Sequence, residues 1–277
     1  MNGAGARVLS LGAGGCTVVA EVDDRGIFES ARQLFPEYEI EVMDGRPVSP
    51  EVSLSSCRDG YLITSRDAAP VSRRSRMEAI VALEFALSRA IAASFGNDHV
   101  HLHASGSVVN GQAVIALGRS GAGKSSLAAS MLFRGHPTLG DDTVFINSSC
   151  FAEPFKRLMK LSVEVLGDLG VAPESTIHWD REWPEAWFDP LDGPGWADEA
   201  PVALLVLAQH DPNVSLQLEP VASSEALNAL LHSVMITGMS ARAGFDRLLH
   251  VAETAKAFRL RFSSSVQAAE VLCSMLK

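Results

Sequence analysis

The segment Gly118-Arg-Ser-Gly-Ala-Gly123-Lys124-Ser125 fills every fixed position of the pattern G-x-x-x-x-G-K-[ST]. A loop of this kind needs a strand to deliver it and a helix to receive it, because its backbone N–H groups must curl around an anion at a helix N-terminus. The flanks supply both. Val114–Leu117 is a short apolar strand before it, and Lys124–Phe133 is an Ala/Leu-rich helix after it, stopped by Gly135. Upstream, the apolar runs Val100–Val109 and Gln112–Leu117 are separated only by Asn110-Gly111. Two central residues that tolerate positive φ close a type I′ turn, so the loop's strand is the second arm of an antiparallel hairpin. The expected core is therefore α/β with a mixed sheet, in contrast to the all-parallel sheets that usually carry such loops.

The chemistry expected of the loop follows from its residues. Gly118, Arg119, Ser120, Gly121, Ala122 and Gly123 turn successive N–H groups toward phosphate oxygens, and the main chain of Lys124, Ser125 and Ser126 continues that cradle. Lys124 reaches the terminal phosphates as a flexible point charge. Ser125 offers a hydroxyl oxygen to Mg²⁺. The ligand this implies is a nucleoside triphosphate.

Seventeen residues beyond Lys124, Asp141-Asp142 stands between the run His136–Leu139 and the strand Thr143–Asn147. An acidic residue at a strand end beside such a loop completes the Mg²⁺ shell. A second carboxylate exceeds that need. Neighbouring side chains of an extended segment point to opposite sides, so one can face the metal while the other accepts a proton from an attacking hydroxyl. The bland alternative is an Asp-Asp turn. His103, in Leu102-His-Ala-Ser105, is either a γ-phosphate contact or a satisfied core histidine. Lys156, Arg157 and Lys160 either stabilise charge on a transferring phosphoryl group or form a solvated basic face. Arg119 can simply point outward.

The rest of the chain frames this site. Residues 1–75 read as a small α+β region, with strands at Arg7–Leu11, Cys16–Val22, Glu39–Met43 and Gly60–Thr64 and a helical piece near Phe28–Leu34. Gly12-Ala-Gly-Gly15 lacks the glycine spacing of a dinucleotide loop and reads as a hairpin turn. Arg66–Arg76 reads as a polar linker, and residues 76–277 as the second domain. That domain opens with an amphipathic helix, Arg76–Phe95, stopped by Gly96-Asn97. Gly167–Pro201, which holds all four tryptophans, reads as a long loop over the site for acceptor recognition, or as an oligomer contact. Beyond it the expected order is a strand at Val202–Ala208, helices at Ser223–Leu231 and Ala241–Val251, a strand at Phe258–Phe262 and a helix at Ser265–Leu276.

A net charge of −10 disfavours nucleic acid and anionic membrane surfaces as partners. Four dispersed cysteines without C-x-x-C pairing fit a reducing compartment, and no targeting segment or bilayer-length apolar run is visible, so the expectation is a soluble cytoplasmic protein with small buried thiols.

Leu102-His-Ala-Ser105, the Asn-Gly hairpin, Gly118–Ser125, Arg134-Gly-His136 and Asp141-Asp142, in this order and spacing, resemble the HPr serine kinase family and its shorter relatives. Pro154-Phe-Lys-Arg-Leu158 and the segment Ala255–Ser263 are similar as well. The likeness is close over about residues 99–161, is one of pattern only over 200–277, and hardly extends to 1–75. It implies a phosphoenolpyruvate-carboxykinase-like P-loop core, ATP with Mg²⁺ as cofactors, and phosphorylation of a serine hydroxyl on a peptide or small protein. It further implies Asp141 as base, Asp142 and Ser125 near the metal, and His103 beside the transferring phosphate. The family's bifunctional members carry an Arg-Gly-Leu-Gly core after the Asp pair. Here only Leu166-Gly-Asp-Leu-Gly170 is present, without the arginine, which removes the basis for phosphorylase activity and for HPr itself as substrate. Shorter relatives accompany peptide natural-product gene sets, including those for lasso peptides, where they phosphorylate a precursor-peptide serine. A small-molecule kinase and a nucleotide-binding regulatory module without transfer are the competing readings.

Overall fold

The computed structural model describes residues 7–13, 16–43, 49–95, 98–172, 175–177, 179–237 and 239–276. Gly14, Gly15 and the Gly96-Asn97 stop signal lie outside them. The chain divides into two compact units, Met1–Gly96 with Trp179–Trp183, and Asn97–His178 with Pro184–Lys277.

The first unit is a six-stranded sheet in the order β3-β1-β2-β4-β5-β6. Its strands are β1 (Arg7–Ala13), β2 (Cys16–Val22), β3 (Glu39–Met43), β4 (Val52–Cys57), β5 (Gly60–Ser65) and β6 (Ala68–Arg73). Two helices accompany it, α1 (Arg25–Leu34) and α2 (Arg76–Ser94). Helix α2 starts at a capping box: the Ser75 hydroxyl accepts the Glu78 N–H, and the Glu78 carboxylate accepts the Ser75 N–H. Its apolar stripe buries Ile80, Leu83, Leu87 and Ile91. Because α2 packs on β2, β4, β5 and α1, it belongs to this unit, and the boundary falls after Gly96 rather than at Arg76. The linker expected at Arg66–Arg76 is corrected too: most of it is β6, an edge strand paired antiparallel with β5. Pro70 is tolerated there because an edge strand has one side without ladder bonds.

The second unit holds the loop. Its strands are β7 (Val100–Leu102), β8 (Ser105–Val109), β9 (Gln112–Leu117), β10 (Thr138–Gly140), β11 (Val144–Ile146), β12 (Phe151–Pro154), β13 (Met159–Ser162), β14 (Glu185–Phe188), β15 (Ala200–His210), β16 (Gln217–Pro220), β17 (Val234–Thr237) and β18 (Lys256–Phe262). Its helices are α3 (Lys124–Leu132), α4 (Val163–Asp168), α5 (Ser223–Ser233), α6 (Ala241–Thr254) and α7 (Ser265–Ser274). The expected hairpin is present. Asn110 and Gly111 have φ of 50° and 75°, and Val109 pairs with Gln112 across the turn. The other edge of β9 pairs in parallel with β15, which pairs in parallel with β18, so the sheet is mixed.

Alternate residues of the central strands enter two cores, as the pleat requires. Ile115, Leu117 and Leu205 pack with Leu230, Leu248 and Val251 of α5 and α6. Val114, Ala116, Leu204 and Val206 pack on the other face with Leu127 and Met131 of α3 and Ala268 and Leu272 of α7. A strand covered on both faces reads as a continuous apolar run, which is why β9 and β15 were visible in the sequence.

Two expectations are corrected here. Val100–Val109 is not one arm: it breaks at His103-Ala104 into β7, paired with β11 and β17, and β8, paired with β9. The Trp-rich segment is not wholly a loop, since β14 pairs antiparallel with β13 and Trp187 is fully buried. Of the cysteines with described side chains, Cys273 is buried as expected, Cys57 is exposed and Cys150 is intermediate. Among the described residues no helix is long and apolar enough to cross a membrane.

Candidate phosphate-binding and transfer site

Strand β9 ends at Leu117 and the chain turns sharply through Gly118, Gly121 and Gly123, with φ of 153°, 77° and 84°. Gly118 and Gly123 are also sterically required. A Cβ on Gly118 would lie 2.8 Å from the Ala208 carbonyl oxygen, and one on Gly123 would lie 2.6 Å from the Phe262 ring. Gly123→Ala therefore meets both the buried Phe262 ring and a left-handed backbone. We expect it to abolish binding of a triphosphate while the protein stays folded, checked by calorimetric titration alongside circular dichroism.

Lys124 is 5% exposed, and its ammonium donates to the carbonyls of Gly118 (2.9 Å) and Arg119 (3.2 Å) and to His103 Nε2 (3.1 Å). Burial pushes its pKa down, and the Asp142 charge partly opposes this. Since Nε2 of His103 accepts from an ammonium, the imidazole proton sits on Nδ1, which donates to Asp142 Oδ1 at 2.9 Å. The break between β7 and β8 places this histidine, and its own N–H is held by the Ser233 carbonyl at 2.7 Å. His103 is thus half-buried at the loop, bridging Lys124 and Asp142, and not enclosed in the core. Ser105, fully buried, donates to the Lys124 carbonyl and anchors the first turn of α3.

The two aspartates part company as neighbours on an extended segment must. Asp141 is 3% exposed. Its Oδ1 accepts from Arg157 at 3.3 Å and its Oδ2 accepts the Lys160 N–H at 3.0 Å. Arg157 is equally buried, so the two form an internal ion pair. Asp142 has a side chain 40% exposed and lines the same cleft as Lys124 and Ser125. Burial alone would raise the Asp142 pKa, but the His103 hydrogen bond and the charges of Arg157 and Lys160 outweigh it and hold the carboxyl well below its ordinary 3.8. The expectation for Asp141 is therefore revised: its carboxylate is turned inward and fully engaged, and the cleft receives Asp142.

The sign of the pH dependence follows from that depression. The stabilising contribution of ionised Asp142 is complete above 3.8 and is lost only as pH falls below it toward the depressed folded value. Hence ionisation of Asp142 gives turnover no acidic limb at or above pH 3.8. A rate–pH profile of wild type checks this, because a limb that disappears in Asp142→Asn would contradict it.

The cleft has a volume of about 770 Å³ and is open to solvent. Gly121–Ser126, Lys160, Glu164, His210 and Phe262 line it. The basic cluster separates: Arg157 locks Asp141, whereas Lys160 reaches the cleft with its ammonium 5.7 Å from the centre of the Trp187 ring. Arg119 is exposed, as its bland reading has it. A second open cavity of about 830 Å³ lies across the loop, lined by His103, Gly118–Ala122 and residues of β15 and α5. His210, Phe262 and the α5 residues Asn228 and His232 were not visible as site residues, since they reach the loop from distant strands and a helix with no motif of their own.

The cleft fits a magnesium triphosphate on its own geometry. Two glycine positions leave no room for a side chain, Lys124, Lys160 and the N-terminus of α3 line the cavity, and Ser125 with Asp142 supplies the hard oxygen donors magnesium prefers. Among the described residues no group of three or more His, Cys, Asp or Glu could hold a metal by itself. Magnesium takes few protein ligands when phosphates complete its shell.

No protein-family model matches the chain, and no curated protein matches it. Among solved structures, the HPr(Ser) kinase/phosphatase from Coxiella burnetii is matched over 64% of this chain and 93% of that one, with 12% identity and a TM-score of 0.27. A likeness of that size carries no functional weight, and the geometry of the site has to carry the function.

Proposed function

We propose that this protein is an ATP-dependent kinase that transfers the γ-phosphoryl group to a serine hydroxyl of a peptide or small protein. The observation that carries the reading is the chain of contacts Lys124–His103–Asp142, which sets a cation, an imidazole and an ionised carboxylate around one point of the cleft. Triphosphate binding alone requires Lys124 and Ser125. A carboxylate fixed by a histidine beside them adds a group aimed at an incoming hydroxyl, and phosphoryl transfer asks mainly for such positioning and charge compensation.

In this scheme Ser125 and Asp142 would hold the magnesium, which would neutralise phosphate charge. Lys124 leaves the loop carbonyls for the phosphate oxygens. Asp142, the cleft-facing member of the pair, also takes the proton of the acceptor. Asp141 is a positioning residue that clamps Arg157 and the main chain at Lys160. Both cavities beside the loop are open, which suits a segment of polypeptide better than an enclosed small molecule.

The test is incubation of the protein with labelled ATP, Mg²⁺ and serine-containing peptides, read by mass spectrometry. Phosphoserine is the expected product. Phosphorylation of small hydroxyl compounds alone would replace the acceptor class, and binding of ATP without any product would favour a regulatory module.

A further inference from the structure

The phosphate chain has a direction in the cleft, and that direction locates the nucleoside. Lys124, Ser125, Ser126 and Asp142 all line the first cavity, and none of the four lines the second. The terminal phosphate belongs where Lys124, His103 and Asp142 meet. The rest of the chain then has to lie in the first cavity, whose lining runs from Ser126 to Ser263–Ser265 at the start of α7. Ser130 Oγ lies 2.8 Å from the Ser126 carbonyl oxygen and 2.9 Å from Ser265 Oγ. What stands there is an exposed imidazole on an aromatic ring. His210 ends β15 and packs against Phe262 with ring centroids 5.6 Å apart. Its Nε2 donates to the Ser263 carbonyl at 3.3 Å, which fixes the ring and leaves Nδ1 as an acceptor.

The geometry points to His210 as the residue on which the nucleobase stacks, with the ribose against Ser263–Ser265. This deepens the proposed function and rests on its nucleotide-binding step. A base lying on a ring gains from stacking whatever its hydrogen-bonding edge, so an aromatic ring suffices and histidine itself is not essential. Only the side chain is involved. The main-chain N–H of His210 bonds to the Ala122 carbonyl at 3.0 Å, and a substitution keeps that support of the loop.

The experiment compares the affinity of the full chain for MgATP and for inorganic tripolyphosphate with Mg²⁺, in wild type, His210→Ala, His210→Phe and His232→Ala. His210→Ala should weaken MgATP about tenfold, the order expected for one base stacked on one aromatic side chain, and leave tripolyphosphate unchanged. His210→Phe should bind MgATP as wild type does. His232→Ala, in the second cavity, should alter neither affinity. Equal loss of both ligands in His210→Ala, or no loss at all, would overturn the assignment. A selective loss of MgATP in His232→Ala would move the nucleoside across the loop. Failure of wild type to bind tripolyphosphate would instead remove the phosphate site itself, and both proposals with it.

Discussion

Asp142→Asn should keep binding of metal-free ATP near wild type, weaken the magnesium complex, and transfer phosphate about 10²- to 10⁴-fold more slowly, the range for losing a positioned proton acceptor. The substitution is nearly isosteric, and the oxygen of the introduced amide can still accept from His103 Nδ1, so the Lys124–His103 contact survives. What disappears is the negative charge in the cleft. Calorimetry with ATP and a single-turnover transfer assay separate the two effects. A variant retaining its full rate would show that Asp142 acts on neither the metal nor the acceptor.

The partner experiment reads stability instead of rate. Asp141→Ala strips Arg157 of its buried counter-charge, and breaking one side of an interior ion pair costs about 3–5 kcal/mol. The Lys160 N–H also loses its acceptor. We expect a large drop in the urea midpoint, with Asp141→Asn falling between the two because the amide oxygen can still accept one bond. The fraction of Asp141→Asn that remains folded should bind MgATP normally, since Asp141 does not line the cleft. If Asp141→Ala left the midpoint unmoved and abolished transfer, the two aspartates would have to exchange roles.

That pair shows where sequence reading stops. The doubled acid was visible at its distance from the loop, and so was the principle that its members face opposite ways. Which faces the cleft is decided by Arg157 and the Lys160 N–H, sixteen and nineteen positions beyond Asp141, and nothing local to Asp-Asp encodes them. The hairpin, by contrast, was legible because Asn110-Gly111 acts on its own backbone. Strand β6 was missed because its residues are mostly exposed, and a strand with little buried face shows no period-two pattern. The break at His103 was hidden inside a run of apolar and small residues, and it shows only through the partners that β7 and β8 choose.

The two flanks of β9 differ in when a growing chain can supply them. Strand β8 is joined to it by two residues and can pair within microseconds of synthesis. Strand β15 follows long after, yet it finishes the loop: the Ala208 carbonyl bounds Gly118, and the His210 N–H holds Ala122. A ribosome-bound nascent chain ending before Ala208 would contain every residue of the phosphate motif and both aspartates while lacking the wall the loop closes against. Nucleotide capture during biosynthesis must therefore wait for the last quarter of the chain, and an N-terminal fragment that keeps the whole motif but stops before Ala208 should be inert toward ATP.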